Sequence, residues 1–154
     1  YLAEYWGGGG GIYNMESTVT LHNSLVAGNT DRSDPDTANH PKWPDVKGTV
    51  NSYGGNLIGD STGSNGWQEN DLAGTAAAPI DAFLGALALN DPGSLFTFAL
   101  LEGSPAINAV ACLAEVKIDE RGVARPQGPA CDIGAYELEQ DYIIILPLIM
   151  VIIS

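Results

Sequence analysis

Wherever apolar residues gather between Ile12 and Gly59 they form short runs, and Gly, Asn or Asp closes each one: Ile12-Tyr13 before Asn14, Leu25-Val26-Ala27 before Gly28-Asn29, Leu57-Ile58 before Gly59. Long helices cannot be built from such punctuation, whereas many short strands joined by tight corners can. Composition agrees. Gly is 19 of 154 residues, well above the usual share of about 7%. Charged residues make 16%, against roughly 25% in an ordinary domain. Hydrophobic residues at 45% exclude a disordered chain, and the length suits one domain rather than two independent cores.

Along the chain, five glycines (Gly7 to Gly11) precede Ile12-Tyr13-Asn14. From Ser17 to Asn23, Val19 and Leu21 alternate with Thr18, Thr20 and His22, the period of a half-buried strand. Ser24 to Asn29 follows at once, with no Asn-Gly type dipeptide to turn a hairpin, so the pattern fits stacked coils of a solenoid. Residues 31–45 are polar and carry Pro35, Pro41 and Pro44, an excursion from the coil. Val46 to Asn51 and Asn56 to Gly59 resume it, and the Ala/Leu-rich stretch from Leu72 to Leu89 is expected to hold one or two short helical turns. The expected division is rungs over 1–60, irregular loops and a cap over 61–140, and a hydrophobic tail over 141–154.

Nineteen acidic against six basic residues give a net charge of −13. That charge repels phosphate backbones and anionic surfaces, which excludes nucleic acid as a partner. Cys112 and Cys131 lack metal-site spacing or a nearby histidine. A disulfide is the simplest reading and implies an oxidising, extracellular or cell-surface setting; two buried thiols in a cytosolic domain are the other. A first residue Tyr1, with no signal-peptide pattern near it, suggests a processed product or a fragment.

The string Arg121-Gly122-Val123-Ala124-Arg125-Pro126, then Cys131-Asp132-Ile133-Gly134-Ala135-Tyr136-Glu137, preceded by Gly103-Ser104-Pro105-Ala106-Ile107, closely resembles the C-terminal signature of choice-of-anchor Q domain proteins. Gly9-Gly10-Gly11-Ile12-Tyr13-Asn14 and Asn56-Leu57-Ile58-Gly59 are similar to that family's repeats. The resemblance covers roughly residues 7–139. It implies an exported bacterial right-handed parallel β-helix, all-β, with a capped C-terminal end and a variable anchoring tail. The disulfide would staple that cap. Two positions depart from the family pattern: Asn108 stands where Asp is common after Pro-Ala-Ile, and Asp119-Glu120-Arg121-Gly122 replaces Asp-Gln-Arg-Gly. The resemblance supplies no catalytic residue.

Gly59-Asp60-Ser61-Thr62-Gly63 matches a nucleophile elbow, but neither a helix nor a histidine follows. Asn29-Thr30-Asp31 resembles the Asn-Thr-Asp of polygalacturonases, whose remaining motifs are missing, so a rung corner is the simpler reading. Asp31, Asp34 and Asp36 have the loose spacing of Ca²⁺ ligands without an EF-hand register, and a solvated loop competes with that site. Trp6, Trp43 and Trp67 are candidates for sugar contact, against ordinary packing. Arg121 and Arg125 suit either a small anion or, more simply, pairing with Asp119, Glu120 or Asp132.

Residues 143–153 are apolar throughout: Ile143, Ile144, Ile145, Leu146, Leu148, Ile149, Val151, Ile152 and Ile153, with Pro147 and Met150 among them. The run is short of the ~20 residues of a spanning helix and is an aggregation hazard unless covered. The domain itself, a membrane or sorting machine, or a neighbouring subunit accepting it by strand addition could provide the cover. The expected function is a non-catalytic extracellular structural or adhesive module, partnered by itself or the cell envelope and able to assemble head to tail into filaments. A polysaccharide-active β-helix enzyme and a carbohydrate-binding module are the alternatives.

Overall fold

The structure is a computed structural model, and residues 9–31 and 45–140 of it are described. Ten strands occur among them, with no helix. The chain first makes β1 (Ile12–Tyr13), β2 (Thr20–Leu21) and β3 (Leu25–Val26). It then makes β4 (Val46–Thr49), β5 (Asn51–Ser52) and β6 (Leu57–Ile58), followed by β7 (Ser64–Asn65) and β8 (Leu72–Ala73). Strands of successive passes pair in parallel into three small sheets, ordered β1-β4-β7, β2-β5 and β3-β6-β8. Ile12 lies beside Val46, Thr20 beside Asn51 and Leu25 beside Leu57.

The expected right-handed parallel β-helix is not what these sheets form. They remain separate, most strands are two residues long, and none closes on another. After β8 the chain abandons the parallel pattern for β9 (Leu84–Leu89) and β10 (Phe96–Leu100), an antiparallel pair. The physical reason is the density of corners: a strand cut after two residues contributes very few ladder bonds, so side-chain contacts and asparagine bridges carry the stacking instead. The expected helical turns between Leu72 and Leu89 are also absent, because that stretch supplies β8 and β9. Strand Val46–Asn51 of the sequence reading divides into β4 and β5 at the buried Val50.

Strand β6 explains how the core is layered. Consecutive strand residues point to opposite faces, yet Leu57 and Ile58 are both fully buried. Ile58 packs with Val46 and Val50, and Ile12, Leu21 and Val26 close that cluster. Leu57 faces the other way, onto Ala106, Val110, Cys131 and Ile133 of the C-terminal segment. The middle strand is therefore covered on both sides, the burial expected of a parallel sheet.

Asparagine side chains replace ladder bonds at the corners. Asn56, fully buried, accepts the Ser24 N–H on Oδ1 at 2.9 Å and donates Nδ2 to Ser52 Oγ and to Asp71 Oδ1, each at 2.9 Å. Asn14 donates to the Ser17 and Thr49 carbonyls, both at 2.6 Å. A buried amide is tolerated only when bonded in this way.

Candidate functional site

Among the described residues a dense cluster of charged side chains lies in the C-terminal segment, built from Asp119, Arg121, Arg125, Asp132 and Glu137. Asp119, Arg121, Asp132 and Glu137 are buried, and the Arg125 side chain is almost wholly enclosed. Asp119 Oδ1 accepts the N–H groups of Arg121 at 2.8 Å and Val123 at 2.9 Å. Its Oδ2 takes Arg121 Nε and the Glu137 N–H, both at 3.0 Å. Arg121 also donates Nη1 to the Asp91 carbonyl at 2.7 Å and Nη2 to the Glu137 carbonyl at 2.6 Å. Arg125 donates to the carbonyls of Asp132 (2.9 Å) and Gly134 (2.6 Å), with Nη1 lying 3.2 Å from Glu137 Oε2.

The remaining carboxylates are equally occupied. Asp132 accepts the Asn108 and Leu138 N–H groups at 2.7 and 2.6 Å, and Glu137 accepts those of Gln127 and Asp132 at 2.9 and 3.0 Å. Each charge is thus bonded to backbone drawn from several separate stretches of chain. A buried ion needs such partners to be tolerated at all. The arrangement holds an irregular segment in place; Arg125, whose Nε alone is buried without a hydrogen-bond partner among the described residues, also borders a small pocket of about 140 Å³.

Two carboxyls have displaced proton affinities. Burial works to raise Asp119, but the N–H groups of Glu137 and Val123 and the Arg121 side chain and N–H outweigh it and hold the carboxyl below its usual range. For Asp71 burial again pushes upward, and bonds from Ser52, Gln68 and Asn56 prevail and lower it. A general acid at neutral pH requires the opposite displacement.

The disulfide joins Cys112 to Cys131, with Cα atoms 5.1 Å apart, and Cys131 forms bridge hydrogen bonds with Val110 in both directions. Such a bond is compatible with an extracellular protein. Arg121 pairs with Asp119, one of the partners the sequence offered. Arg125 takes Glu137 instead, and reaches Asp132 only through its carbonyl. Glu120 is exposed. The burial of Glu137 left no local mark in the sequence.

A cleft of about 540 Å³ opens beside Asn29, Asp45, Asp60 and Asp81. Asp45 Oδ1 accepts the Asn29 N–H and Nδ2, and its Oδ2 accepts the Asp60 N–H at 2.7 Å. Asp60 and Asp81 accept the Thr62 and Phe83 N–H groups. These acids fasten corners. Of the expected Ca²⁺ ligands, Asp31 is buried, while Asp34 and Asp36 lie outside the described residues. Among the described residues no group of three His, Cys, Asp or Glu is placed to hold a metal ion.

Of the three tryptophans only Trp67 is described. It packs against Val46, Val50 and Ile58 and donates its indole N–H to Ser64 Oγ at 3.1 Å. Ser61, the would-be nucleophile, donates to the Gly74 carbonyl, and strand β7 follows it. Trp6, Trp43 and the apolar tail residues 143–153 lie outside the described residues. No helix of the described residues is long and apolar enough to cross a membrane.

Fold and site together define a strand-built domain whose C-terminal segment is secured by a disulfide and a buried ionic network. No protein-family model, curated protein or solved structure matches the chain.

Proposed function

We propose that this protein is an exported structural or adhesive module that associates with copies of itself through open sheet edges. The observation that carries the reading is the position of β1, β2 and β3. All three belong to the first pass, each is an end strand of its sheet, and no strand pairs with its outer side among the described residues. Ile12 and Asn14 direct their N–H groups to the second pass, and Val19 and Leu21 their carbonyls. By the alternation of a strand, the backbone groups of Tyr13 and Thr20 face outward.

Edges of this kind accept further strands. The last-pass strands β7 and β8 offer the matching edge on the opposite side, so repetition of one contact is heterologous and grows a filament. The disulfide and the −13 charge support an oxidising, extracellular setting, as does the resemblance to choice-of-anchor Q proteins. The buried Asp119–Arg121–Arg125–Glu137 network supports a structural role, since its charged groups are bonded within the cap.

Sedimentation velocity of the full chain over a concentration series tests the reading, alongside a variant carrying Tyr13→Pro and Thr20→Pro. Proline there removes only outward-facing N–H groups. The expected result is concentration-dependent growth by the full chain and a folded monomer for the variant. A full chain that remains monomeric, or a variant that assembles equally well, overturns it.

A further inference from the structure

The β9–β10 pair carries its large side chains on one face. Phe96 lies directly opposite Leu89 and Phe98 opposite Leu87, and cross-strand partners share a face. Thr97 and Ala88 take the other face, where Thr97 is buried. The bulky face is the open one, with Phe96 67% and Phe98 49% exposed. Leu87, Phe96 and Phe98 border a groove of about 310 Å³ that is also lined by Leu25, Thr97, Leu100, Glu120, Ile133 and Tyr136. Past Leu84 and Phe98 a second space of about 550 Å³ follows β3. An apolar face of this size beside a groove calls for an occupant.

We propose that residues 143–153 of the same chain fill this groove. Those residues are uncharged and apolar, matching the Leu87, Phe96 and Phe98 side of a groove whose one charged lining residue is Glu120. The last described residues before them lie close to the groove. Tyr136 is itself part of the wall. Glu139 lies 3.7 Å from Arg121, whose Nη1 bonds the Asp91 carbonyl in the β9–β10 turn. Ile143 is three residues beyond Gln140, a reach of up to roughly 10 Å for an extended chain.

Reach decides between same-chain and neighbouring-chain filling. A connection of a few residues gives an effective concentration on the order of millimolar, so a second copy competes only at comparable concentration. The two spaces adjoin β3 but not the β1 and β2 edges that the Tyr13→Pro and Thr20→Pro variant tests, so this proposal and the self-association reading fail separately.

The test uses the full chain with photoreactive p-benzoylphenylalanine in place of Phe96. Equal parts of ¹⁴N and ¹⁵N protein are mixed, with and without phosphatidylglycerol–phosphatidylethanolamine vesicles, then irradiated, digested with pepsin and read by mass spectrometry. Same-isotope products joining position 96 to residues 143–153 are expected. Mixed-isotope products would place a second copy in the groove, lipid adducts would place a membrane there, and products lacking the tail would leave the groove empty of it. Any of these overturns the proposal. As a second measurement, removal of residues 141–154 is expected to speed amide exchange in β9 and β10 about ten-fold while β4 and β6 are unaffected; unchanged β9 and β10 rates also overturn it.

Discussion

The Arg121 guanidinium sits over the Tyr136 ring, its Cζ 3.7 Å from the ring centroid. The same group pairs with Asp119 at 2.9 Å and bonds two carbonyls. Stacking on one side and planar donation at the edge are what a guanidinium does and an ammonium cannot. Arg121 thereby connects the β9–β10 turn, the Asp119 turn and the chain at Glu137.

Loss of that group is therefore expected to be costly. Arg121→Met leaves Asp119 buried without its cation and should lower stability by about 3–5 kcal/mol. Arg121→Lys should recover less than half, because one point charge cannot reach all the carbonyls. Urea midpoints measure both, and equal midpoints for Lys and wild type would contradict the geometry.

Asp119 and Asp71 make stability depend on acid. Both carboxyls are held lower in the folded protein than in the unfolded chain, so on acidification the unfolded chain takes up protons first. Their contribution is complete above the ordinary Asp value of about 3.9 and is lost as pH falls through that value toward the lower folded ones. Asp71→Asn should flatten the acid limb of a stability–pH curve measured by thermal melting between about pH 6 and 2. An unchanged slope would mean that Asp71 carries no linkage.

Two glycines with left-handed backbone separate steric from conformational cost. Gly66 has φ +96°, and a Cβ there would collide with the Val50 carbonyl oxygen, a backbone atom that cannot swing away. Gly103 has φ +87° and open space around it. Gly103→Ala should cost only the left-handed penalty of about 1–2 kcal/mol, and Gly66→Ala distinctly more. Differential scanning calorimetry of the pair checks the order.

The disulfide closes a loop with a sequence separation of 19. Chain-entropy reasoning gives roughly 3 kcal/mol for a loop of that size. Replacing both cysteines by alanine should lower stability by about that amount, and reduction with dithiothreitol should match it. A protein unmoved by either would show that the ionic network alone holds the segment.

Much of the local structure was legible. Alternation at Val19 and Leu21, and the runs at Leu25 and Leu57, became β2, β3 and β6, because period and corner residues are local properties. The β9–β10 pair went unread although Phe96, Phe98 and Leu100 alternate with Thr97 and Ala99 after a Pro92-Gly93 turn signal. The departure at Asn108 has a conformational fit. Its φ is +52°, a region where asparagine is enriched, and its N–H reaches Asp132.

By itself the sequence determined a corner-rich chain of short strands without long helices, carrying two cysteines without metal-site spacing, since composition, count and spacing are properties of the chain. Only the tertiary structure decided that the small sheets stay separate and that β6 is covered on both faces. It also decided that Glu137 is the partner of Arg125 and that Leu87, Phe96 and Phe98 border a groove. Each of these depends on which distant segments meet, as Asp91 meets Arg121 and Leu57 meets Ile133, and no local pattern encodes such encounters.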